Sequence, residues 1–510
     1  MNKLKDFIKS EVACLKKEVP LFEYILWWVL RIAMAVAMVY KQKENGPGFS
    51  ITVLILGLNL LATFTVTLIR LLLFPKKVVC RLPFTTQRWI NVIVFVAAFL
   101  GHTFDLINEV TSWDKLMHVM SGAVVLLLGN ELTQVFIREK DKVSDSVRML
   151  TATGFSFFAM VIWEIYEFIV DYNWPESTNM AYSSNPDRDP FFVWLYGGPS
   201  SNFEAGLSCV FDTVTDMICA VIGAIPVIII LSLRMRSKRK KAEGGSKNNV
   251  TKKTHSGVIG FIKSEIKSLR SSITLVEYIF WWVLRIGQTV MLIYRYKLNG
   301  PGSVTVLIMT LNLIATFAIP LIRLLLPFKR AVTQIPFRVQ SWINFIVFFA
   351  SFLGHGFNLS YSVTSWDKFL HVMMGVVAFF IGNELIKPFI RKDDRVSPLL
   401  MTLHATGFSY MAIVLWEIYE FIIDYNWPES GNMAYRMPEN DPTVQDPFFV
   451  WLYGGPSVNF EAGMASLFDT LTDMICAVAG IIPCMFILYF FLKGKEKKEL
   501  SKAEKDTVSV

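Results

Sequence analysis

The chain consists of one unit that occurs twice, and this tandem duplication is the strongest constraint on its fold. The segment WEIYEFI begins at Trp163 and again at Trp416, and DPFFVWLYGGPS begins at Asp189 and again at Asp446. All 14 tryptophans fall into matched pairs, with one member of each pair in each half. A repeat of this size predicts two copies of one folding unit, so a site built in one half should be built again in the other.

Each half contains six long apolar runs. In the first half they cover 21–40, 50–74, 89–108, 113–137, 149–171 and 206–233. A spanning helix needs about 20 apolar residues. Hydrophobic residues make up 53% of the chain and charged residues only 18%, against about 25% charged in soluble domains. We therefore predict an all-α polytopic membrane protein with about twelve transmembrane helices, arranged as two parallel six-helix repeats.

The predicted domain boundaries follow the repeat. They place a first six-span membrane repeat at 1–234, a basic cytoplasmic linker at 235–256, a second six-span repeat at 257–492 and a charged cytoplasmic tail at 493–510. The first repeat begins with apolar residues at helical spacing among lysines, which predicts an amphipathic helix on the inner leaflet. The alternative is a plain cytoplasmic segment before the first span.

The distribution of Lys and Arg predicts the orientation in the membrane. With the N-terminus inside, most of the 50 Lys and Arg residues fall in inner segments, which is the positive-inside pattern. We therefore expect a multi-pass protein of the cell membrane with both termini in the cytoplasm. The net charge of +8 comes from these loops, so it does not predict nucleic-acid binding. The six cysteines form no CxxC pair, which disfavours a zinc knuckle or a disulfide framework.

Ionisable side chains recur within the last four runs of each half, at a depth that predicts the outer half of the bilayer. Steps of three and four residues place those of one run on one helix face. Because a charge facing lipid is costly, we expect them to face one another inside each bundle. They are His102, Asp114, His118, Glu164, Glu167, Asp171, Asp212 and Asp216 in the first half and His355, Asp367, His371, Glu417, Glu420, Asp424, Asp469 and Asp473 in the second.

Two interpretations of these residues compete. In the first, they hold a divalent metal, since imidazole and carboxylate ligands without thiolates suit Mg, Mn, Fe or Zn. Glu167 and Glu420 are then the catalytic general bases, and His102, His355, Asp171 and Asp424 are accessory. The predicted ligands are Asp114, His118, Glu164, Asp212 and Asp216, with Asp367, His371, Glu417, Asp469 and Asp473 in the second half. In the other interpretation the same groups share protons and hydrogen bonds and fix helix register.

Further polar and small residues lie inside the spans. Arg31, with Arg285 in the second half, is expected either to pair with Glu164 or to hold a phosphate or carboxylate of a ligand. Asn59 is expected to join neighbouring helices. Three glycines are expected to permit close helix contact, namely Gly122, Gly129 and Gly223. The aromatic outer loop at 172–205 is either a lid over the polar residues or an interfacial belt.

Three stretches in successive runs, WDKLMHVMSG, WEIYEF and FDTVTDMICAVIGA, resemble motifs of the YjdF-type family of bacterial inner-membrane proteins. The resemblance covers most of each half. It implies the fold and a shared set of site residues, but no reaction. Besides the acids and histidines of those stretches it carries over to Lys115, Trp163, Thr213 and Gly223, with Lys368, Trp416, Thr470 and Gly480 in the second half. The DKxxH piece alone is similar, more weakly, to VanZ-like proteins, which are linked to glycopeptide-antibiotic tolerance.

Three functions are compatible with this pattern. The first is a membrane-embedded, metal-assisted enzyme that acts on lipid or lipid-linked headgroups, or on a small molecule, at the outer leaflet. The second is a transporter of a cation or a proton-coupled solute, and Glu131 is the acid on which an inner pathway would depend. The spans show no paired Gly or Pro breaks at midplane, which disfavours transport. The third is a non-catalytic scaffold or sensor. The lipid bilayer is the expected partner in each case.

Overall fold

The computed structural model describes residues 2–508 except 47, 49, 73–81, 111, 139–140, 142, 174–207, 243–257, 326–334, 364, 391–393 and 427–464. The described residues are almost entirely helical, which confirms the predicted all-α class. Their contacts divide the chain into two compact units, one formed mainly by residues before Leu231 and the other mainly by residues after Ser232. The aromatic loop at 172–205 lies outside the described residues except at its first positions.

The first half is built from nine α-helices and one π-helix within the described residues. In chain order they are α1 (Asn2–Glu18), α2 (Leu21–Asn45), α3 (Ile51–Ala62), α4 (Thr65–Leu72), α5 (Thr85–Val94), π1 (Phe95–Thr103), α6 (Leu106–Glu109), α7 (Trp113–Phe136), α8 (Asp145–Asn173) and α9 (Ser208–Ala242).

The second half repeats this order. Its described elements are α10 (Val258–Ser272), α11 (Leu275–Asn299), α12 (Val304–Ala315), α13 (Ala318–Leu325), α14 (Arg338–Val347), π2 (Phe348–Gly356), α15 (Leu359–Ser362), α16 (Trp366–Leu385), a 3₁₀ turn (Lys387–Phe389), α17 (Pro398–Asn426) and α18 (Ala465–Val508). The charged tail therefore continues the last helix as far as Val508.

Eight described helices are long and apolar enough to cross a membrane, or up to ten if each bent pair of helices is one span. The third apolar run of each half accounts for the difference from the twelve predicted spans. It is helical throughout but changes from ten residues of α-helix in α5 to nine of π-helix in π1. The chain is therefore a multi-pass membrane protein, while the number of twelve spans stays a prediction.

The second apolar run of each half is sharply bent. Helices α3 and α4 meet at 59°, and α12 and α13 meet at 61°. The bends fall at Thr63 and Thr316. No Gly or Pro lies within four residues of Thr63, whereas Pro320 lies four residues after Thr316 and cannot donate a backbone hydrogen bond to it. Because both halves bend alike, the proline alone does not explain the bends, and side chains from other helices satisfy the backbone groups that the bends expose.

Gln87 of α5 is one of those side chains. Its Nε2 donates to the carbonyl of Ala62 at 3.1 Å, and its Oε1 accepts from the amide of Val66 at 2.9 Å. One buried amide side chain thus pairs an acceptor at the end of α3 with a donor at the start of α4. Because unpaired backbone groups in an apolar interior cost several kcal/mol each, this pairing stabilises the bent form. Gln340 makes the same two hydrogen bonds in the second half.

The N-terminal segment forms helix α1, as its apolar spacing predicts. Phe7 is buried, whereas Ile8 is exposed. The helix is joined to α4 by a salt bridge between Glu11 and Arg70, and Arg70 also donates to the carbonyl of Leu82. Arg70 is buried in this pairing, so the snorkelling expected of an arginine at the end of a span is replaced by an internal ion pair.

Glycines bring α7 and α9 into backbone contact. A Cβ added to Gly122 would lie 2.0 Å from the carbonyl oxygen of Ala220, and one added to Gly223 would lie 1.8 Å from that of Val119. Only glycine permits such an approach. At Gly129 an added Cβ would lie 2.9 Å from the carbonyl oxygen of Ala152 on α8. The predicted role of these glycines in helix contact is confirmed.

Candidate functional site

Helices α7, α8 and α9 bring most of the predicted polar residues of the first half into one cluster. Successive members on each helix lie three or four residues apart, so each helix presents its members on one face. The close contact of α7 with α9 then sets the two faces against each other. The buried members are Lys115, His118, Glu164, Glu167 and Asp216, while Asp114 and Asp212 are partly buried.

Lys115 is the cation at the centre of one side of this cluster. Its Nζ lies 2.8 Å from Asp216 Oδ1 and 3.1 Å from Asp114 Oδ2, and it forms an ion pair and hydrogen bond with Asp212. The side chain is buried, so the charges of this group are held by one another rather than by water. We call Lys115, Asp114, Asp212 and Asp216 the lysine group.

His118 lies between the lysine group and a second pair of acids. Its Nε2 is 3.6 Å from Asp114 Oδ1 and 3.7 Å from Asp216 Oδ2. Its Nδ1 is on the opposite edge of the ring, 3.8 Å from Glu164 Oε1. The two nitrogens of one imidazole therefore face two differently composed groups of carboxylates, and only the first of these groups contains a lysine.

Two sets of side chains in this half place three potential ligand atoms within 4.8 Å of one another. One set is Asp114, His118 and Asp216, and the other is His118, Glu164 and Glu167. In the second set both carboxylate oxygens of Glu164 are buried and make no hydrogen bond to any described residue. Buried carboxylates normally accept hydrogen bonds, so Glu164, whose nearest charged group is His118 Nδ1 at 3.8 Å, is unusual. Either set could hold a metal ion.

A cavity of about 210 Å³ opens beside the second set. Asp114, His118, Glu164 and Glu167 line it, together with His102 from π1. Aliphatic side chains from helices α3, α5, π1 and α6 also line it, namely Ile55, Ile93, Ala97 and Ile107. The lining therefore combines acidic and histidine side chains with aliphatic ones, which suits an amphipathic ligand.

The second half repeats the arrangement. Lys368 Nζ lies 2.9 Å from Asp473 Oδ1 and 3.2 Å from Asp367 Oδ2, and it is also paired with Asp469. His371 Nε2 is 3.5 Å from Asp367 Oδ1, and its Nδ1 is 3.6 Å from Glu417 Oε1. The corresponding metal-compatible sets are Asp367, His371 and Asp473, and His371, Glu417 and Glu420.

The structure places the remaining predicted site residues as follows. Asp212 and Asp469 are bound to the lysines and belong to neither metal-compatible set of the described residues. His102 lines the cavity, and His355 is largely buried in π2 at the matching position. The side chains of Asp171 and Asp424 lie outside the described residues. Four described cysteines are free thiols, namely Cys14, Cys219, Cys476 and Cys484.

Lys115 is among the residues that the family resemblance implied, but it was not among the predicted metal ligands or catalytic residues. A signal was present, since Lys115 follows Asp114 directly and precedes His118 by three residues, which places it near the same helix face.

Asn59 also differs from expectation, because its amide donates to the carbonyl of Ile55 in its own helix at 3.0 Å rather than to a neighbouring helix.

Arg31 does not pair with Glu164, which was one of its two expected roles. Its Nε donates to Thr63 Oγ1 at 3.2 Å, and its Nη2 donates to the Thr63 carbonyl, at the bend between α3 and α4. The guanidinium carbon lies 4.0 Å from the ring centre of Phe64. Arg285 repeats these contacts with Thr316 and Phe317. The prediction failed because the bend supplies a free carbonyl that the sequence does not reveal.

Glu131 is bound within its own half. Its carboxylate accepts hydrogen bonds from Thr86 Oγ1 at 2.9 Å and from Trp89 Nε1 at 3.1 Å, at the start of α5. Its equivalent Glu384 is paired with Lys387. Both acids therefore have structural partners at the ends of helices.

The fold and the cluster together define a duplicated, polytopic α-helical membrane protein with a buried acid, histidine and lysine cluster in each half. The chain belongs to the family described as "Predicted membrane protein (DUF2238)", which matches residues 23–237 and again 279–494. The two matches coincide with the two copies of the repeat and confirm the resemblance to a duplicated YjdF-type protein. No curated protein and no solved structure matches the chain.

Proposed function

We propose that the protein is a metal-assisted membrane enzyme that acts on lipid or lipid-linked headgroups at the outer leaflet of the cell membrane, with both chain termini in the cytoplasm. The observation that supports it best is the cavity that His118, Glu164 and Glu167 line together with aliphatic side chains such as Ile55 and Ile93. A lipid presents the same combination of an apolar chain beside a polar headgroup.

The charge balance of the cluster supports a bound cation. Each half holds five carboxylates beside one lysine and one histidine, and most of these side chains are buried. Uncompensated carboxylates in a low-dielectric interior are costly, so the excess negative charge requires protons or a cation. A divalent cation compensates two of these charges at once. The five acids in the first half are Asp114, Glu164, Glu167, Asp212 and Asp216.

Each group of side chains has a separate role in the proposed reaction. His118 and Glu164 hold the cation, which supplies polarisation of a phosphoryl or ester oxygen or activation of a water molecule. Glu167 lies one helical turn from Glu164 on the same wall and accepts the proton of the attacking group as general base. The aliphatic side chains of α3 and α5 that line the cavity, Ile55 and Ile93, hold the apolar part of the substrate and exclude water around it.

Elemental analysis of the detergent-purified protein tests the metal. Wild type should carry a stoichiometric metal, and His118→Ala with His371→Ala should lose it while keeping the fold, as judged by size-exclusion profile and circular dichroism. Glu131→Gln is the matched control, because Glu131 is a bound acid outside the cluster. Wild-type protein purified without metal chelators and still free of metal would refute the proposal.

Lipid analysis tests the reaction. Membranes of cells that express wild type should differ in headgroup composition from those that express Glu167→Gln with Glu420→Gln, at equal protein levels and equal metal content. Identical lipid profiles, together with normal metal binding in both proteins, would separate metal binding from enzymatic action and would leave the enzyme assignment without support.

A second candidate, a transporter, is favoured by one specific observation. Both halves bend the same helix at the same place, at 59° and 61°, and paired broken helices in the two halves of a membrane protein mark substrate sites in many transporters. Reconstituted vesicles loaded with a divalent cation distinguish the two functions. Cation flux that follows a gradient and disappears in Glu164→Gln with Glu417→Gln would favour transport over the enzyme.

A further inference from the structure

The two nitrogens of the His118 ring face different carboxylates. Those near Nε2, Asp114 and Asp216, are paired with Lys115, whereas Glu164 near Nδ1 is not paired with a lysine. We infer that each half binds one exchangeable divalent cation on the Nδ1 side of His118, held by that nitrogen and by Glu164, and that the charge of Lys115 replaces a second cation on the Nε2 side. This inference rests on the proposed metal binding, and it adds which atoms bind the ion and why each half takes only one.

The Nε2 side already contains a cation. The ammonium of Lys115 lies 2.8 Å from Asp216 Oδ1 and 3.1 Å from Asp114 Oδ2 and is also paired with Asp212. It therefore compensates the charge of the aspartates that a metal on this side would need, by pairing with the one oxygen of Asp114 and of Asp216 that does not face His118 Nε2. A divalent ion next to a buried ammonium would also be repelled strongly, because little water is present to screen the two charges. Asp114 and Asp216 consequently act on the imidazole rather than on a metal.

The Nδ1 side lacks a cation and has room for one. Glu164 Oε1 lies 3.8 Å from His118 Nδ1. Two ligands that each lie about 2.1 Å from one ion are separated by roughly 3 to 4 Å. Both oxygens of Glu164 are without a hydrogen bond among the described residues. A cation at this place would therefore complete a buried carboxylate that is otherwise unsatisfied.

The cavity provides a route by which a cation on the Nδ1 side of His118 can enter and leave. Glu164, Glu167 and His118 all line it, whereas Asp212 and Asp216 are not among the described residues that line it. Asp114 also lines the cavity. Its Oδ2 is paired with Lys115, and its Oδ1 lies 3.6 Å from His118 Nε2. A carboxylate on the second nitrogen of a ligating histidine fixes the ring's tautomer and orientation. Asp114 is thus a positioning residue for His118.

The second half supports the same assignment with one variation. Lys368 holds Asp367, Asp469 and Asp473, and Glu417 lies 3.6 Å from His371 Nδ1. Here Asp473 Oδ1, which is paired with Lys368, is also 3.8 Å from Nδ1. What both halves share is a lysine paired with three aspartates and a glutamate beside the histidine Nδ1.

Counting bound Mn²⁺ by electron paramagnetic resonance on purified full-length protein tests the inference. Wild type should bind about two ions per chain, one in each half, and Glu164→Gln with Glu417→Gln should bind none. Lys115→Ala with Lys368→Ala should raise the number to about four, because the aspartates that the lysines released become ligands. A lysine variant with the wild-type number, or with none, would overturn the inference.

A second pair of variants keeps the test decisive if the lysine variant does not fold. Asp216→Asn with Asp473→Asn retains both lysines and should retain about two ions per chain, with an affinity lowered by about 10- to 100-fold, the usual effect of altering a residue that orients a ligand. Loss of ions in this variant, with retention in the Glu164→Gln and Glu417→Gln variant, would place the ion on the Nε2 side. Wild type that binds no Mn²⁺ would instead refute the proposed function itself.

Discussion

Lys115 and Arg31 are both cations buried within the first half, yet the structure compensates them in opposite ways. Lys115 is surrounded by three aspartates from α7 and α9. Arg31 is held by the hydroxyl and carbonyl of Thr63 and by the ring of Phe64, at the bend of the second span. Both side chains are about equally buried, at 5% and 6% exposure. Burial alone therefore does not require a buried cation to have a carboxylate partner.

The difference follows from the chemistry of the two side chains. Arginine spreads its charge over a planar group that donates several hydrogen bonds and stacks on aromatic rings, so a neutral carbonyl and a phenyl ring can compensate it. Lysine concentrates its charge on one strongly hydrated ammonium, which needs anions when it loses water. The arginine thus supports a bent helix, and the lysine supports a charged cluster.

Arg70 is intermediate between these two. It forms a bidentate pair with Glu11 of α1 and donates to the carbonyl of Leu82, and its guanidinium lies 4.5 Å from the ring centre of Phe84. Glu11 is less deeply buried than Arg70. The three cations therefore form a series with three, one and no carboxylate partners, and substitutions along this series test the comparison.

Lys115→Met should have the largest effect on stability. It leaves Asp114, Asp212 and Asp216 without their cation, and removal of one partner of a buried ion pair costs about 3–5 kcal/mol. The free energy of unfolding measured in mixed detergent and SDS micelles checks this value. Lys115→Met combined with Asp212→Asn should recover part of the loss, and a double variant no more stable than the single one would argue against charge as the cause.

Arg31→Met should cost about 2–3 kcal/mol, from the lost hydrogen bonds to Thr63 and the lost contact with Phe64. The cost is smaller than for Lys115 because no carboxylate is left without a partner. Arg31→Lys should recover less than half of it, since a lysine lacks the planar fork. Metal content should stay at the wild-type value in both variants, and a loss of metal in Arg31→Met would connect Arg31 to the cluster after all.

Gly223→Ala should distinguish the lysine group, which depends on α9, from the proposed metal site, which lies on α7 and α8. The added methyl would meet the carbonyl oxygen of Val119 at 1.8 Å, so α9 must move away from α7, at a cost of about 1–3 kcal/mol. This movement separates Lys115 from Asp212 of α9, but His118 and Glu164 lie on α7 and α8, so the metal content should stay at the wild-type value. Gly48→Ala is the matched control for stability, since a Cβ there meets no atom within 4 Å. A fall in metal content in Gly223→Ala alone would contradict the placement of the ion on the Nδ1 side of His118.

Glu11→Gln should have the smallest effect, about 1 kcal/mol or less, because the half-buried carboxylate is partly compensated by water and the amide retains one hydrogen bond to Arg70. The loss should shrink further at high salt. Unfolding measured at two salt concentrations checks both statements. A cost equal to that of Lys115→Met would show that Arg70 depends on its carboxylate as completely as Lys115 depends on its aspartates.

Most of the candidate site could be predicted from the sequence, because helical spacing alone places Glu164 with Glu167 and Asp114 with His118 on common faces. The glycines that bring α7 against α9 were also predictable, since a small residue on an apolar helix favours close contact. Which of these acids pair with Lys115 was not predictable. Asp212 and Glu164 look alike in the sequence, yet Asp212 is hydrogen-bonded to Lys115, whereas neither oxygen of Glu164 makes a hydrogen bond to a described residue.

The sequence by itself determined the duplication, the all-α class, the membrane location and the helices that carry the polar residues, because hydrophobic length and helical period are local properties of the chain. The tertiary structure alone decided that Lys115 pairs with three aspartates, that Arg31 pairs with none of the acids of the cluster, and that the second span is bent at Thr63. Each of these depends on side chains that come from other helices, Gln87 at the bend and Asp212 at the lysine. Long-range packing therefore sets the charge compensation from which the function of the cluster is inferred.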